Sequence, residues 1–219
     1  MEAEMERHFA RFPALSSCAE EIRDVFRRLV RMYRGGGRLL ICGNGGSAAD
    51  AAHIEGELMK DFRFSRRLPE GDRERLVRLF PDGGSRLADL LTPCLPALAL
   101  GTGLSLASAV ANDTAAEMVY AQQVYGLCGE RDAVLGLTTS GSSPNVLNAL
   151  KVARLRGAAV FAITGRGVSG MTELCDGCIH IPATETAQVQ ELMVPVYHLL
   201  CGLLEDAFFG GKGGCDALS

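Results

Sequence analysis

The chain has 219 residues, a length at which folding buries about 70% of the surface that an unfolded chain exposes, so one domain with its own core is expected. Hydrophobic residues make up 47% and charged residues 22%, and tryptophan is absent, which excludes disordered, collagenous and fibrous proteins. The net charge of −4 provides no basic field for a phosphate backbone, which argues against direct nucleic-acid binding.

The sequence also bears on location and redox state. No apolar run reaches the ~18 residues of a membrane helix, and the N-terminal MEAEMERHFARF lacks the apolar stretch of a secretory signal, so we expect a cytoplasmic protein without membrane contact. Eight cysteines are scattered through apolar segments, which predicts reduced, mostly buried thiols. Cys175 and Cys178 form a CxxC pair that is half a zinc site, and we expect no metal or redox role for it.

Apolar spacing predicts N-terminal helices followed by a series of strands. Ile22, Phe26 and Leu29 recur at helical spacing, and Gly35 ends that helix. Short apolar runs with the character of buried strands follow at residues 38–42, 96–100, 133–137, 158–163 and 178–181.

Helical patterns separate most of these runs, around residues 48–60, 115–127 and 144–156. A strand–helix–strand order requires crossover connections and favours parallel pairing. The sequence therefore predicts an α/β fold: a three-layer α/β/α sandwich with a central five-stranded parallel sheet, plus N-terminal helices.

We expect a single domain over residues 1–219. Its predicted parts are N-terminal helices at 1–37, an α/β core at 38–208, an insertion at about 62–93 and a flexible tail at 209–219. The insertion is arginine-rich, with turns at 69–72 and 81–84 around a helical stretch at 73–80. A last helix at 186–208 contains Pro195, where we expect a kink or local opening.

Two turns that follow strands have the composition of anion sites. Residues 43–47 (GNGGS) lead from strand one into a helix, and residues 138–143 (TTSGSS) lead from strand three into a helix opened by Pro144. Backbone N–H groups at such helix starts favour phosphate, although glycine-rich turns are common and the first fits neither GxGxxG nor GxxxxGK[ST]. Ser142 or Ser143 is expected to cap the helix, and the surplus hydroxyls suit phosphate oxygens. Both turns lie at strand carboxyl ends, which predicts one shared pocket.

Two pairs of polar residues lie on predicted helices at spacings that would bring the members of each pair together. His53 and Glu57 are four residues apart and share one helix face, an arrangement that is also common for a surface hydrogen bond. Gln190 and His198 lie two turns apart on the last helix and can line one cleft. His180 sits in an apolar run, for which a structural role is expected.

Three segments together resemble the sugar isomerase (SIS) domain family, and within it the phosphoheptose isomerase branch. They are GNGGSAADAAHIEGEL at 43–58, LTTSGSSPNVLNALKVARLRG at 137–157, and VQE with the later YH at 189–198. The similarity runs from about residue 15 to 208, with the motifs in family order. It implies the flavodoxin-like SIS fold.

The resemblance also implies roles for individual residues. The catalytic pair would be Glu57 and His198. The residues in substrate-binding positions are Asn44, Gly45, Gly46, Ser47, Asn112, Asp113, Thr138, Thr139, Ser140, Ser143 and Gln190. The positions where some members bind zinc are His53, Glu57, Gln190 and His198. No nucleotide cofactor is implied.

The family reaction interconverts an aldose phosphate and a ketose phosphate through an enediol, which requires a base and an acid. The resemblance implies a phosphorylated-sugar substrate, conversion of sedoheptulose 7-phosphate to a heptose 7-phosphate, and a homo-oligomer, a tetramer or dimer. The alternative is a non-catalytic SIS protein that binds phosphosugars or acts as a regulator, of the type associated with the replication initiator. For Arg63, Arg66 and Arg67 in the insertion, a solvated face is expected, with contact to a phosphate or a partner subunit as the alternative.

Overall fold

The computed structural model describes residues 1–167 and 170–210. The part of the predicted tail at 211–219, including Cys215, lies outside the described residues. Ten α-helices are described: α1 (Glu2–Arg11), α2 (Ala19–Arg34), α3 (Gly46–Met59), α4 (Glu70–Leu79), α5 (Gly84–Leu90), α6 (Leu104–Asp113), α7 (Val119–Leu127), α8 (Pro144–Leu155), α9 (Gly170–Leu174) and α10 (Thr186–Phe209). The strands are β1 (Leu39–Gly43), β2 (Ala97–Ala99), β3 (Ala133–Thr138), β4 (Ala159–Thr164) and β5 (Gly177–His180).

The described strands form one parallel sheet in the order β2-β1-β3-β4-β5. Every residue of β1 and β3 is buried, which explains why these strands are continuous apolar runs rather than alternating ones. Helices α2, α3 and α10 contribute to the core on one face, and α7 and α8 contribute to the core on the other. The predicted three-layer α/β/α sandwich is confirmed.

Three described helices were absent from the sequence-based prediction. Helix α5 occupies residues that follow a predicted turn, and α9 has only five residues. None of the ten residues of α6 (104–113) is buried, so a search for a buried apolar stripe gives no signal there.

Helix α10 is continuous through Pro195. By length and composition it could cross a membrane, but 67% of its most apolar 18-residue window is buried inside the protein, as in the core helix of a globular domain. It packs against both α2 and α3. One side of α10 therefore belongs to the core, and its contact with α3 forms one wall of the site described below.

The start of the insertion is fixed to α10 by a buried ion pair. Arg66 Nε and Nη2 donate to Glu205 Oε1 at 3.0 and 2.8 Å, and both side chains are at most 3% exposed. The backbone N–H groups of Phe62 and Arg63 also donate to this carboxylate. The predicted solvated face was wrong for Arg66, because Glu205, which is distant in sequence, compensates its burial. Arg67 is exposed, as predicted.

The described cysteines are free thiols, and His180 has the structural role predicted for it. The cysteines at positions 18, 42, 94, 128, 175, 178 and 201 are free thiols, and four of them are buried. His180 Nδ1 lies 2.8 Å from Glu21 Oε1, and its Nε2 lies 3.1 Å from Thr172 Oγ1. His180 therefore links β5 to α2 and α9.

Candidate active site

The two polar turns lie side by side at the carboxyl edge of the sheet. Strands β1 and β3 are neighbours, with Gly43 paired to Leu137, so the chain leaves both strands at the same level. Helix α3 starts at Gly46 and α8 at Pro144, and both helix N-termini therefore face this edge. Since the first N–H groups of a helix have no partner within it, the two turns together present a concentrated set of donors for an anion.

A reciprocal amide pair joins the two turns. Asn44 Nδ2 donates to Asn145 Oδ1 at 2.8 Å, and Asn145 Nδ2 donates to Asn44 Oδ1 at 2.7 Å. The hydroxyl of Tyr120 on α7 donates to the Gly43 carbonyl and lies 3.4 Å from Asn44 Oδ1. These contacts fix the first turn against the second.

The hydroxyl-rich turn is arranged around a buried threonine at the end of β3. Thr138 is 4% exposed, and its Oγ1 lies 3.0 Å from Ser143 Oγ. Ser143 occupies the N-cap position of α8, but within the described chain its side chain makes no capping hydrogen bond. The expected cap by Ser142 or Ser143 was therefore wrong, because the Ser143 hydroxyl pairs with Thr138 and Ser142 Oγ pairs with Ser140 Oγ at 3.0 Å. Thr139 and Ser140 retain surface access at the tip of this turn.

Two glycines of the first turn differ in what they permit. Gly45 has φ +55°, in the left-handed region that glycine adopts without steric cost. A Cβ on Gly46 would lie 2.6 Å from Gln190 Nε2, so a larger residue there would displace the Gln190 side chain. Ser47, in the first turn of α3, is buried. Gln190 therefore lies at the glycine turn, where the contact between α3 and α10 begins at the N-terminus of α3.

About two helical turns beyond Gly46 on α3 and Gln190 on α10, a compact cluster is formed by His53, Glu57 and His198. One donor atom from each lies within 4.8 Å of those from the other two, and no other such group of histidine, cysteine, aspartate and glutamate is found among the described residues. His53 Nε2 is 3.1 Å from Glu57 Oε1 and 3.4 Å from His198 Nε2. The helical spacing of His53 and Glu57 and the packing of α10 on α3 are what bring these groups together.

The surroundings of His198 favour its neutral imidazole. Burial lowers the pKa of His198, the neighbouring His53 lowers it further, and Glu57 opposes the change. The Glu57 side chain is only 12% exposed. In the described part of the chain no hydrogen-bond donor reaches Glu57 Oε2, and the ammonium of Lys60 is 3.6 Å away. A buried carboxylate oxygen without a donor is a position that a cation or a substrate hydroxyl can occupy.

The donor set fits a divalent metal ion such as zinc. Two imidazole nitrogens and a carboxylate oxygen that converge on one point are common zinc ligands. Glu57 Oε2 accepts no hydrogen bond from the described residues, and the 3.4 Å separation of His53 Nε2 and His198 Nε2 would let both nitrogens bind one ion. Gln190, the fourth residue implied by the resemblance, lies nearer the glycine turn, where its side chain contacts Gly46.

Among the described residues, the side chains of Asn112 and Asp113 form a hydrogen bond with each other and none with the other candidate site residues. Both are exposed at the end of α6, and Asn112 Nδ2 donates to Asp113 Oδ1 at 2.8 Å. Their placement on a helix without buried residues leaves both side chains accessible.

Four residues around the site were not singled out from the sequence. Asn145 and Tyr120 support the glycine turn, and Tyr197 and Asp50 contact His53 directly or through one another. Asn145 stands in the quoted SPNV segment and Tyr197 in the quoted YH pair, but no spacing pattern reveals a partner more than 100 residues away.

Comparison with known proteins gives consistent results. Residues 100–201 match the family described as SIS domain. A phosphoheptose isomerase of Trichlorobacter lovleyi is 35% identical over 208 residues, which cover 94% of this chain and 93% of that relative. One of Rhodospirillum rubrum is 37% identical over 196 residues, 90% of each chain. The solved structure of a phosphoheptose isomerase from Francisella tularensis gives a TM-score of 0.73 at 25% identity and covers 94% of both chains. The resemblance seen in the sequence motifs is confirmed.

Proposed function

Because this chain belongs to the phosphoheptose isomerase family, and is an isomerase with an SIS domain, we propose that it converts sedoheptulose 7-phosphate to a heptose 7-phosphate through an enediol. The observation that carries the proposal is the convergence of Glu57 and His198, with His53, beside two turns that suit a phosphate. A phosphosugar-binding regulator without activity needs the turns but has no use for this acid–base pair.

The phosphate group would bind where the two helix N-termini meet. Hydroxyls of Ser47, Thr138, Thr139, Ser140 and Ser143, with backbone N–H groups of both turns, offer enough donors for its oxygens. Asn44, Gly45 and Gly46 would contact the sugar from the first turn. Asn112 and Asp113 would hold sugar hydroxyls, a role that their exposure on α6 permits.

Glu57 and His198 would move the protons of the reaction. One takes a proton from the carbon next to the carbonyl, and the other delivers a proton to the carbonyl oxygen, so that the enediol forms without a free charge. Each positioned acid or base contributes about 10²- to 10⁴-fold in rate. The lowered pKa of His198 favours a neutral imidazole at neutral pH, which suits it to accept the first proton. Gln190 would contact the sugar phosphate next to the glycine turn.

His53, Glu57 and His198 would hold a zinc ion, whereas Gln190, the fourth residue implied by the resemblance, contacts the glycine turn in this structure. The chemistry that zinc would supply is polarisation of the substrate carbonyl and stabilisation of the negative charge on its oxygen. With zinc bound, Glu57 would carry the proton transfer from carbon, because a lone pair of His198 that binds the ion cannot also accept a proton.

The wider setting of the enzyme is also proposed. The whole chain would form one SIS domain. The protein would act in the cytoplasm and would bind neither a membrane nor nucleic acid directly. A homotetramer or a homodimer would cover helix α6, on which Leu104 is 80% and Leu106 is 50% exposed.

The test is turnover of sedoheptulose 7-phosphate by the purified protein with and without added zinc. Glu57→Gln and His198→Asn should each lower kcat by at least about 10²-fold with the fold intact. Glu55→Gln is the matched control, since it changes a glutamate of the same helix outside the cluster. Binding of the sugar phosphate without turnover by the unmodified protein would instead establish the regulatory alternative.

A further inference from the structure

A tyrosine beneath the cluster joins His53 to a carboxylate. Tyr197 on α10 is 2% exposed, and its hydroxyl lies 2.9 Å from His53 Nδ1 and 3.3 Å from Asp50 Oδ1. Asp50 lies one turn before His53 on α3. The opposite ring nitrogen of His53, Nε2, faces Glu57 and His198.

A cation that binds His53 Nε2 requires the ring proton on Nδ1, and the contacts of Tyr197 and Asp50 can accept it there. An ionised carboxylate only accepts hydrogen bonds, and a phenol has one proton to donate. When Tyr197 donates to Asp50, its oxygen can accept from His53 only if the proton of the ring is on Nδ1. His53 Nε2 then carries a lone pair, directed at the point that Glu57 and His198 also face.

With the proton on Nε2, His53 donates to Glu57 Oε1 and Tyr197 donates to Nδ1 instead of Asp50, so this tautomer suits the site only while no cation binds there. A histidine that binds a metal through one nitrogen normally donates its other N–H to a fixed acceptor, which sets both the tautomer and the ring orientation. The Tyr197–Asp50 pair has the geometry of such an acceptor.

We propose that Tyr197, supported by Asp50, is a positioning residue that holds His53 with its proton on Nδ1 and so presents Nε2 to a divalent metal ion. This inference rests on the proposed metal centre. It assigns a function to a residue on the core side of α10 that touches neither substrate nor metal, and it explains why a polar side chain is buried directly before His198.

The test measures zinc affinity of the full chain by competition with a chromophoric chelator. Tyr197→Phe should weaken the affinity about 10- to 100-fold, the usual effect of removing such a partner. Tyr33→Phe is the matched control, because Tyr33 is also buried and its hydroxyl has no hydrogen-bond partner within residues 1–167 and 170–210. It should bind zinc as the unmodified protein does.

A second readout separates positioning from packing. In ¹⁵N-histidine spectra of the zinc-loaded unmodified protein, the His53 proton should reside on Nδ1, and Asp50→Asn should weaken zinc binding in the same direction as Tyr197→Phe. Asp50→Asn also serves as the test if Tyr197→Phe fails to fold. Unchanged zinc affinity in the folded variants, or a His53 proton on Nε2 in the loaded protein, would overturn the inference.

The outcome is distinguishable from failure of the proposed function. If the unmodified protein binds no zinc, the positioning role is refuted, while isomerase activity that depends on Glu57 and His198 would still stand. If zinc binds and depends on Tyr197 but no sugar phosphate is converted, the positioning role stands and the isomerase proposal fails.

Discussion

The amide pair between the two turns gives a quantitative prediction for substrate binding. Asn145→Ala removes two neutral hydrogen bonds to Asn44, each worth about 0.5–1.5 kcal/mol, so the upper limit of the loss is about 3 kcal/mol. Asn44 is exposed and water can replace its lost partners, which places the effect in the lower half of this range. We therefore expect KM for the sugar phosphate to rise about 5- to 20-fold.

The kinetic signature follows from what the pair does. Asn145 fixes the turn that would bind the phosphate and not the reacting carbons, so kcat should change little while KM rises. Asn145→Asp should be worse than alanine, because its second oxygen would face Asn44 Oδ1 at the 2.7 Å separation of the present hydrogen bond and would add a negative charge near the anion site.

Steady-state kinetics on three variants check this reasoning. Asn148→Ala is the control: it lies one turn further along α8, and its Nδ2 donates to the Glu117 carbonyl away from the turns. Its KM should match that of the unmodified enzyme. If Asn145→Ala and Asn145→Asp both keep KM within twofold, or if both lower kcat alone, the two turns do not act as one coupled phosphate site.

Three further predictions concern stability and metal dependence. Glu205→Ala leaves the buried Arg66 guanidinium unpaired and should lower the free energy of unfolding by about 3–5 kcal/mol. The control Asp89→Ala, at the exposed Arg73 pair, should lower it by less than about 1 kcal/mol. Equal losses in urea unfolding, measured at one protein concentration, would contradict the argument. Burial alone would raise the pKa of Asp132, but hydrogen bonds from Arg38 and Gly129 lower it overall. The contribution of Asp132 to stability is therefore present above its unfolded pKa and is lost as pH falls through its folded pKa. The melting temperature of Asp132→Asn should depend less on pH in that acidic range than the melting temperature of the unmodified protein. Metal depletion should remove most isomerase activity and zinc should restore it, and full activity of a protein shown by metal analysis to be depleted would exclude a catalytic metal.

The strands were predictable because their signal is local. Residues 133–137 were predicted as a strand and β3 spans Ala133–Thr138, since a strand buried on both faces is apolar at every position. Helix α6 lacks such a signal because none of its residues is fully buried by the part of the chain that the structure describes. The spacing of apolar residues predicts an element only where one of its faces is buried. A helix whose apolar side chains remain exposed is therefore not predicted from this pattern.

The site was predictable only where its geometry is local. His53 and Glu57 share a face because the α-helix has a fixed period. The contact of Tyr197 with His53 spans 144 residues and that of Asn145 with Asn44 spans 101. Both depend on how α10 and α8 pack, and the sequence carries no separate mark of these pairings. The same limit applies to Arg66, whose burial is set by Glu205 on α10.

The packing of α3 on α10 sets the distance between the two halves of the site. Gly46 contacts Gln190, and His53 lies against His198, so the two helices run side by side in the same direction. The seven residues from Gly46 to His53 correspond to about 10 Å along the helix axis at 1.5 Å per residue. An extended seven-carbon 7-phosphate spans about eight bonds from phosphorus to its first carbon, or about 10 Å at roughly 1.2 Å per bond.

This match favours a long, open-chain substrate. With its phosphate at the turns, a heptulose phosphate can place its first two carbons at Glu57 and His198, whereas a five-carbon 5-phosphate falls short by about 2.5 Å, the length of two bonds. Misplacement by that distance separates the reacting carbon from its base, and effects of about 10²-fold accompany errors of only 1 Å. The ratio of kcat/KM between the seven-carbon and five-carbon ketose phosphates should therefore be at least about 10². Comparable values for both would mean that the phosphate does not bind at the turns while the carbonyl is at the cluster.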